Sequence, residues 1–132
     1  MSEKILVRII LPSKVMLETE ASMVNIPGTD GEFGVLAGHV KLVSNIDIGV
    51  ITLFSGEEKT RCFVCGGVAQ VTGSELNIVT EFAADLAKSR KYDVLNDISS
   101  LKSDLLDEEP GSVEADIISD KIEKNETLAK FL

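Results

Sequence analysis

The stretch Ile26-Pro27-Gly28-Thr29-Asp30-Gly31-Glu32-Phe33-Gly34-Val35-Leu36-Ala37-Gly38-His39 decides how the rest of the chain is read. Four glycines, Gly28, Gly31, Gly34 and Gly38, are interleaved with the apolar residues Phe33, Val35 and Leu36. Glycines this close together permit positive φ and close backbone approach, which neither a helix nor a regular strand requires. The apolar residues between them are those of a buried strand. The segment therefore reads as an ordered, folded-over loop pinned to a core. Such loops on rigid scaffolds are where binding function concentrates.

Phosphate binding is the first function to weigh, because Gly28, Gly31 and Gly34 form a G-x-x-G-x-x-G run. A phosphate cradle needs a glycine turn that opens a helix, whose free N–H groups and dipole meet the anion. No helical period follows Gly34, and no Lys-Ser or Lys-Thr pair closes the run. Asp30 and Glu32 would repel phosphate. The run is a shaped loop, and no cofactor is expected at it.

On either side of the loop the chain is a series of short apolar, β-branched segments: Ile5 to Leu11, Val15 to Thr19 and Ala21 to Ile26, then Leu42 to Ile46 and Ile48 to Phe54. The first of these reads as a strand buried on both sides or nearly so. Ser55-Gly56-Glu57-Glu58 has the composition of a hairpin loop, and Lys59 to Cys65 returns antiparallel. Gly66-Gly67 marks a bulge or sharp bend before Val68 to Thr72, and Gly73-Ser74 turns the chain into Leu76 to Thr80. Eight or nine short strands at close spacing predict a β sandwich, or flattened barrel.

Near Asp85 the texture changes. Nine of the ten glycines lie before position 74. From Lys88 the period is helical: Val94, Ile98, Leu101 and Leu105 fall on one face, with Ser89 as a candidate N-cap. Glu109-Pro110-Gly111 breaks the helix. Ser112 is a second candidate cap, followed by Glu114 and Asp116 where the helix dipole favours acids. Ile118, Ile122 and Ala129 continue one face, with Val113 and Leu128 beside it. The expected layout is a β domain over residues 1–85 and a two-helix C-terminal hairpin over 86–132. Each helix has a narrow apolar stripe, so the pair packs along itself, on the sandwich or on a partner.

The 132-residue chain is 44% apolar, without Trp, and carries a net charge of −9, which argues against a nucleic-acid or anionic-membrane surface. No apolar run approaches the roughly twenty residues of a membrane-spanning helix, so no direct membrane insertion is expected. The N-terminus lacks the pattern of a signal or transit peptide, and the protein is expected to act in the compartment that made it. Cys62 and Cys65 form a C-x-x-C on a strand. Residues three apart on a strand point to opposite faces, which suits neither a disulfide nor a shared metal, so both read as small buried hydrophobes. His39 is the sole histidine. Ser44 and Asp47, the nearest candidate partners, do not stand at triad spacing, and catalysis is not expected.

Val24-Asn25-Ile26-Pro27-Gly28-Thr29-Asp30-Gly31-Glu32-Phe33-Gly34-Val35-Leu36-Ala37-Gly38-His39, followed by Leu42, resembles a segment of the epsilon subunits of F-type ATP synthases. Phe63-Val64-Cys65-Gly66-Gly67-Val68-Ala69-Gln70-Val71 is similar to that family's F-x-x-G-G-x-x-x-V segment, and the order of sandwich and hairpin matches. The resemblance implies a non-catalytic central-stalk (rotor) subunit that couples proton-driven rotation of the c-ring to ATP synthesis. It implies that Thr29, Asp30, Gly31 and Glu32 face the c-ring, that His39 and Leu42 lie near the gamma subunit, and that Gly28, Gly34, Gly38, Gly66 and Gly67 shape the backbone. It also implies that the hairpin folds down or extends along gamma toward the beta subunits, where it inhibits ATP hydrolysis. The expected location is peripheral, on the cytoplasmic face of a bacterial membrane.

The chain departs from the family in two places. Val40-Lys41 stands where members often carry a proline after the histidine. The region Ala84 to Val94 lacks the I/L-D-x-x-R-A pattern of ATP-binding members, and the second helix has lysines but no arginine, which argues against nucleotide sensing. Two other classes remain in view at this level: a free-standing regulatory adaptor whose hairpin is a partner-binding arm, and a small enzyme centred on His39.

Overall fold

The computed structural model describes residues 3–38 and 41–132 of the chain. Two compact units are present, one ending at Asp85 and the other spanning Leu86–Leu132.

The first unit is a β sandwich. Its strands are β1 (Ile5–Ile10), β2 (Val15–Ala21), β3 (Met23–Gly28), β4 (Gly31–Leu36), β5 (Leu42–Ser55), β6 (Glu58–Val71), β7 (Glu75–Val79) and β8 (Ala83–Asp85). Hydrogen bonds link them in the order β2-β1-β7-β6-β5-β3-β4, with β8 on β6. All pairs are antiparallel except β1 with β7. The core is aliphatic: Ile5, Val7, Ile9, Val24, Ile26, Val35, Ile51, Leu76 and Ile78 are all fully buried.

β1 differs from the expectation of a strand buried on both sides. Ile5, Val7 and Ile9 point into the core, while Leu6, Arg8 and Ile10 are half-buried on the other face. Pairing explains the placement of Arg8, which faces Glu18 on β2 and Asn77 on β7. Its Nε donates to Glu18 Oε2 at 2.7 Å, and its Nη1 reaches Glu75 Oε2 at 3.4 Å. The hydrogen bond donated to Glu18 raises the guanidinium pKa above its ordinary value, with Glu75 adding to the effect against partial desolvation.

The segments expected as four short strands are two continuous ones. β5 and β6 form a single hairpin of 14 residues a side, in register from Leu42 opposite Val71 to Ser55 opposite Glu58. β6 changes neighbours along its length: Cys62 to Val64 pair with β8, and Val68 to Val71 pair with β7. Gly66 and Gly67, both at positive φ, lie between the two sets. A Cβ on Gly67 would collide with the carbonyl oxygen of Val79, so β6 and β7 approach here only because that side chain is missing.

The second unit is a pair of packed helices, α1 (Lys91–Leu106) and α2 (Val113–Ala129). Val94 and Ile98 are buried on α1, and Ala115, Ile122, Leu128 and Ala129 on α2. Leu101, Leu105 and Ile118 are half-buried. Val113, expected beside the buried face, is exposed. α1 is capped by Arg90 rather than Ser89 and has no side-chain cap bond. At α2 the expected cap is present: Ser112 accepts from the Ala115 N–H at 3.1 Å. No helix is long and apolar enough to cross a membrane among the described residues.

Candidate functional site

The glycine-rich stretch is a β-hairpin, not a loop. Six residue pairs run from Met23 opposite Leu36 to Gly28 opposite Gly31, leaving Thr29-Asp30 as a two-residue turn. Its alternation was obscured because Gly28, Gly31 and Gly34 occupy positions where a strand usually shows a side chain. The first two glycines do different work. A Cβ on Gly28 would lie 2.8 Å from both the Gly31 carbonyl oxygen and the Phe33 ring, so the turn closes over a position with no room. Gly31 has φ +121°, a conformation glycine adopts without strain. A Cβ on Gly34 would meet only ordinary contacts, the nearest at 3.4 Å from the Asn25 side chain. The run leads on into Val35 and Leu36 of β4 and opens no helix.

Thr29, Asp30, Gly31 and Glu32 are all exposed, so two carboxylates stand at the tip within three residues. The tip is fastened to the sandwich from below. The Thr29 N–H donates to the Asn45 carbonyl at 3.3 Å, and Gly28 pairs with Ile46 on β5. An exposed acidic turn held by backbone bonds to a long central strand can present negative charge to a basic or polar surface with little ordering cost on contact.

Leu42 opens β5 and is half-buried, packed on the sandwich core. It lines a groove of about 230 Å³ together with Phe33, Gly34 and Ser44. The fold thus brings Leu42 next to the hairpin, at a groove shared with Phe33 and Gly34 of β4. His39, the other residue assigned to a gamma contact, lies outside the described residues. Gly38 has positive φ, and its N–H donates to Gly73 at 2.9 Å.

The cysteines diverge from a shared site. Cys62 is fully buried in the core, and neither thiol is in a disulfide. Cys65 is only half-buried, which corrects its reading as a core residue. It lines a groove of about 480 Å³ with Ile10, Pro12, Gly67, Val79 and Glu81. Among the described residues no group of three or more His, Cys, Asp or Glu side chains could hold a metal ion.

One feature of the site escapes local sequence rules: a break in β3–β5 pairing opposite Pro27, just below the tip. Pro27, read from the sequence as part of the loop, stands inside β3, where it cannot donate to a ladder.

Residues 4–85 match the family model described as the beta-sandwich domain of the ATP synthase delta/epsilon chain. The ATP synthase epsilon chain of Rickettsia bellii is 33% identical over 108 residues, covering 80% of this chain and 100% of that one. That of Afipia carboxidovorans is 34% identical over 104 residues, covering 79% and 76%. The fold is similar to a chain of the Euglena gracilis mitochondrial ATP synthase, with a TM-score of 0.64 at 21% identity, over 97% of this chain and 81% of that one. A chain of the Tetrahymena thermophila mitochondrial ATP synthase central stalk and c-ring gives 0.55 at 10% identity, over 97% and 98%. The structural likenesses carry the fold. The matched sandwich and the relative aligned over its whole length carry the ancestry: this chain belongs to the delta/epsilon-chain family of ATP synthase subunits.

Proposed function

We propose that the chain is a non-catalytic rotor subunit of an F-type ATP synthase, joining the gamma subunit to the c-ring and coupling proton-driven rotation to ATP synthesis in the catalytic head. The observation that carries this reading is the exposed acidic tip, Thr29 to Glu32, braced on β5 by the Thr29–Asn45 hydrogen bond. Asp30 and Glu32 suit a cationic or polar loop on the ring. Leu42, beside the tip hairpin, and His39 belong to the gamma contact. The sandwich acts peripherally, at the cytoplasmic face of the membrane.

The hairpin is the regulatory part in this reading. From residue 86 to 132 it carries eleven Asp or Glu against seven Lys or Arg, a net of −4. Its buried stripes are narrow, so packed and extended arrangements lie close in energy and a partner's binding preference can select between them. In the extended arrangement it reaches the beta subunits and obstructs rotation in the hydrolysis direction.

The test is binding to a gamma-containing catalytic complex from the same source, with ATP hydrolysis followed as the full-length or Asp85-truncated chain is added. Stoichiometric binding of both forms, with inhibition only by the full-length chain, is the expected result. Binding without inhibition would leave a coupling subunit alone. No binding by either form would return the protein to the adaptor reading.

A further inference from the structure

Pro27 and Gly49 meet where β3 and β5 lose register. Asn25 faces Thr52, yet three residues further along β3, Gly28 faces Ile46, six residues back along β5. The three surplus residues form an arch in β5 opposite Ile26 and Pro27. A proline suits that gap, because it has no N–H to leave orphaned where the ladder opens.

The arch rests on the proline ring. Gly49 is buried, and a Cβ on it would lie 3.2 Å from both Cβ and Cγ of Pro27. Beyond the ring, Pro27 faces Glu32 across the β3–β4 ladder, and Gly28 faces Gly31. Past Gly28 comes the second support, the Thr29 N–H bond to Asn45. Two points of β5 on either side of Ile46 therefore hold the hairpin end. Moving one while the other stays fixed turns the tip.

From this geometry we infer that Pro27 and Gly49 are positioning residues, whose contact sets the angle at which Asp30 and Glu32 are presented to the c-ring. The inference rests on the proposed role of the tip and adds the device that aims it. Gly49 is buried and Pro27 half-buried, and neither belongs to the exposed tip itself. A few tenths of an ångström at the ring pass directly to Glu32, its cross-strand neighbour.

Gly49→Ala tests it with little risk to the fold, since Gly49 is not among the glycines at positive φ and the added methyl meets only the proline ring. ATP-driven proton pumping and ATP hydrolysis are measured together on the assembled complex, beside thermal unfolding and amide resonances of the full chain. The expected result is shifted resonances at Asp30, Gly31 and Glu32, and pumping lost at unchanged hydrolysis and unfolding temperature. Pro27→Ala, which removes the ring instead of crowding it, lowers pumping in the same way. In a chain already carrying Asp30→Lys and Glu32→Lys, Gly49→Ala causes no further loss.

Normal pumping by Gly49→Ala and Pro27→Ala, with loss in the charge-reversed chain, would overturn the inference and leave the tip assignment standing. A Gly49→Ala loss that persists in full on the charge-reversed chain would also overturn it, because the effect would then lie elsewhere. Normal pumping by the charge-reversed chain would overturn the tip assignment, and the positioning role with it.

Discussion

Gly67 passes so close to Val79 that no side chain fits between them, since a Cβ would collide with the Val79 carbonyl oxygen. The approach occurs where β6 exchanges β8 for β7 as its neighbour. Gly67→Ala therefore meets two penalties, steric overlap with a backbone that cannot swing aside and a φ of +136° that L residues rarely adopt. The expected loss is at least the ~1–3 kcal/mol of an overpacked core site, read from chemical denaturation. A stability equal to that of the parent would show that β6 and β7 can separate here.

At the tip the balance reverses. Asp30 and Glu32 are exposed, so Asp30→Lys with Glu32→Lys should change stability by no more than ~0.5 kcal/mol per site. Coupling of proton flow to ATP turnover in the assembled complex should fall much further. Unaltered coupling would remove the tip from the c-ring contact.

Ser112 offers a test confined to the second unit. Its hydroxyl oxygen accepts from the Ala115 N–H, and Ser112→Ala removes that acceptor at a cost of ~1 kcal/mol. Amide hydrogen exchange should accelerate in the first turn of α2 and remain unchanged in the strands of the sandwich. Equal protection in both forms would mean that the cap contributes nothing to the helix.

The two thiols should separate by exposure. Cys62 is fully buried in the core, and Cys65 is half-buried at a groove. Alkylation of the native chain, followed by mass spectrometry, should label Cys65 first and reach Cys62 only on unfolding. Mild oxidation should leave the two unlinked within a chain. Equal labelling of both would contradict the burial of Cys62.

Much of this architecture was legible from local rules. Short apolar, β-branched runs bounded by turn residues located β1, β2, β3 and β7 to within a few residues, and the three-four spacing from Val94 onward located α1. Ser112 announced the start of α2 because a capping hydroxyl acts on an amide three residues away. The change of texture near Asp85 coincides with the division between the two units. The glycine-rich stretch and the F-x-x-G-G segment carry the family resemblance in the sequence itself.

What required the tertiary structure was pairing. A period of two states which face a residue occupies, but not which strand lies beside it, because partners come from distant parts of the chain. For that reason Ile26 to His39 looked like a loop although Met23 to Leu36 is a hairpin, and β5 and β6 looked like four strands although they are two. The short β8 exists only because β6 offers it an edge beyond Gly66. The same holds at the site. The residues alone marked Asp30 and Glu32 only as acids in a glycine-rich loop, and the family resemblance nominated them as a contact. That Pro27 rests on Gly49, and that Leu42 lines a groove with Phe33, was decided by registers set between different strands, where packing of the whole sandwich fixes the match.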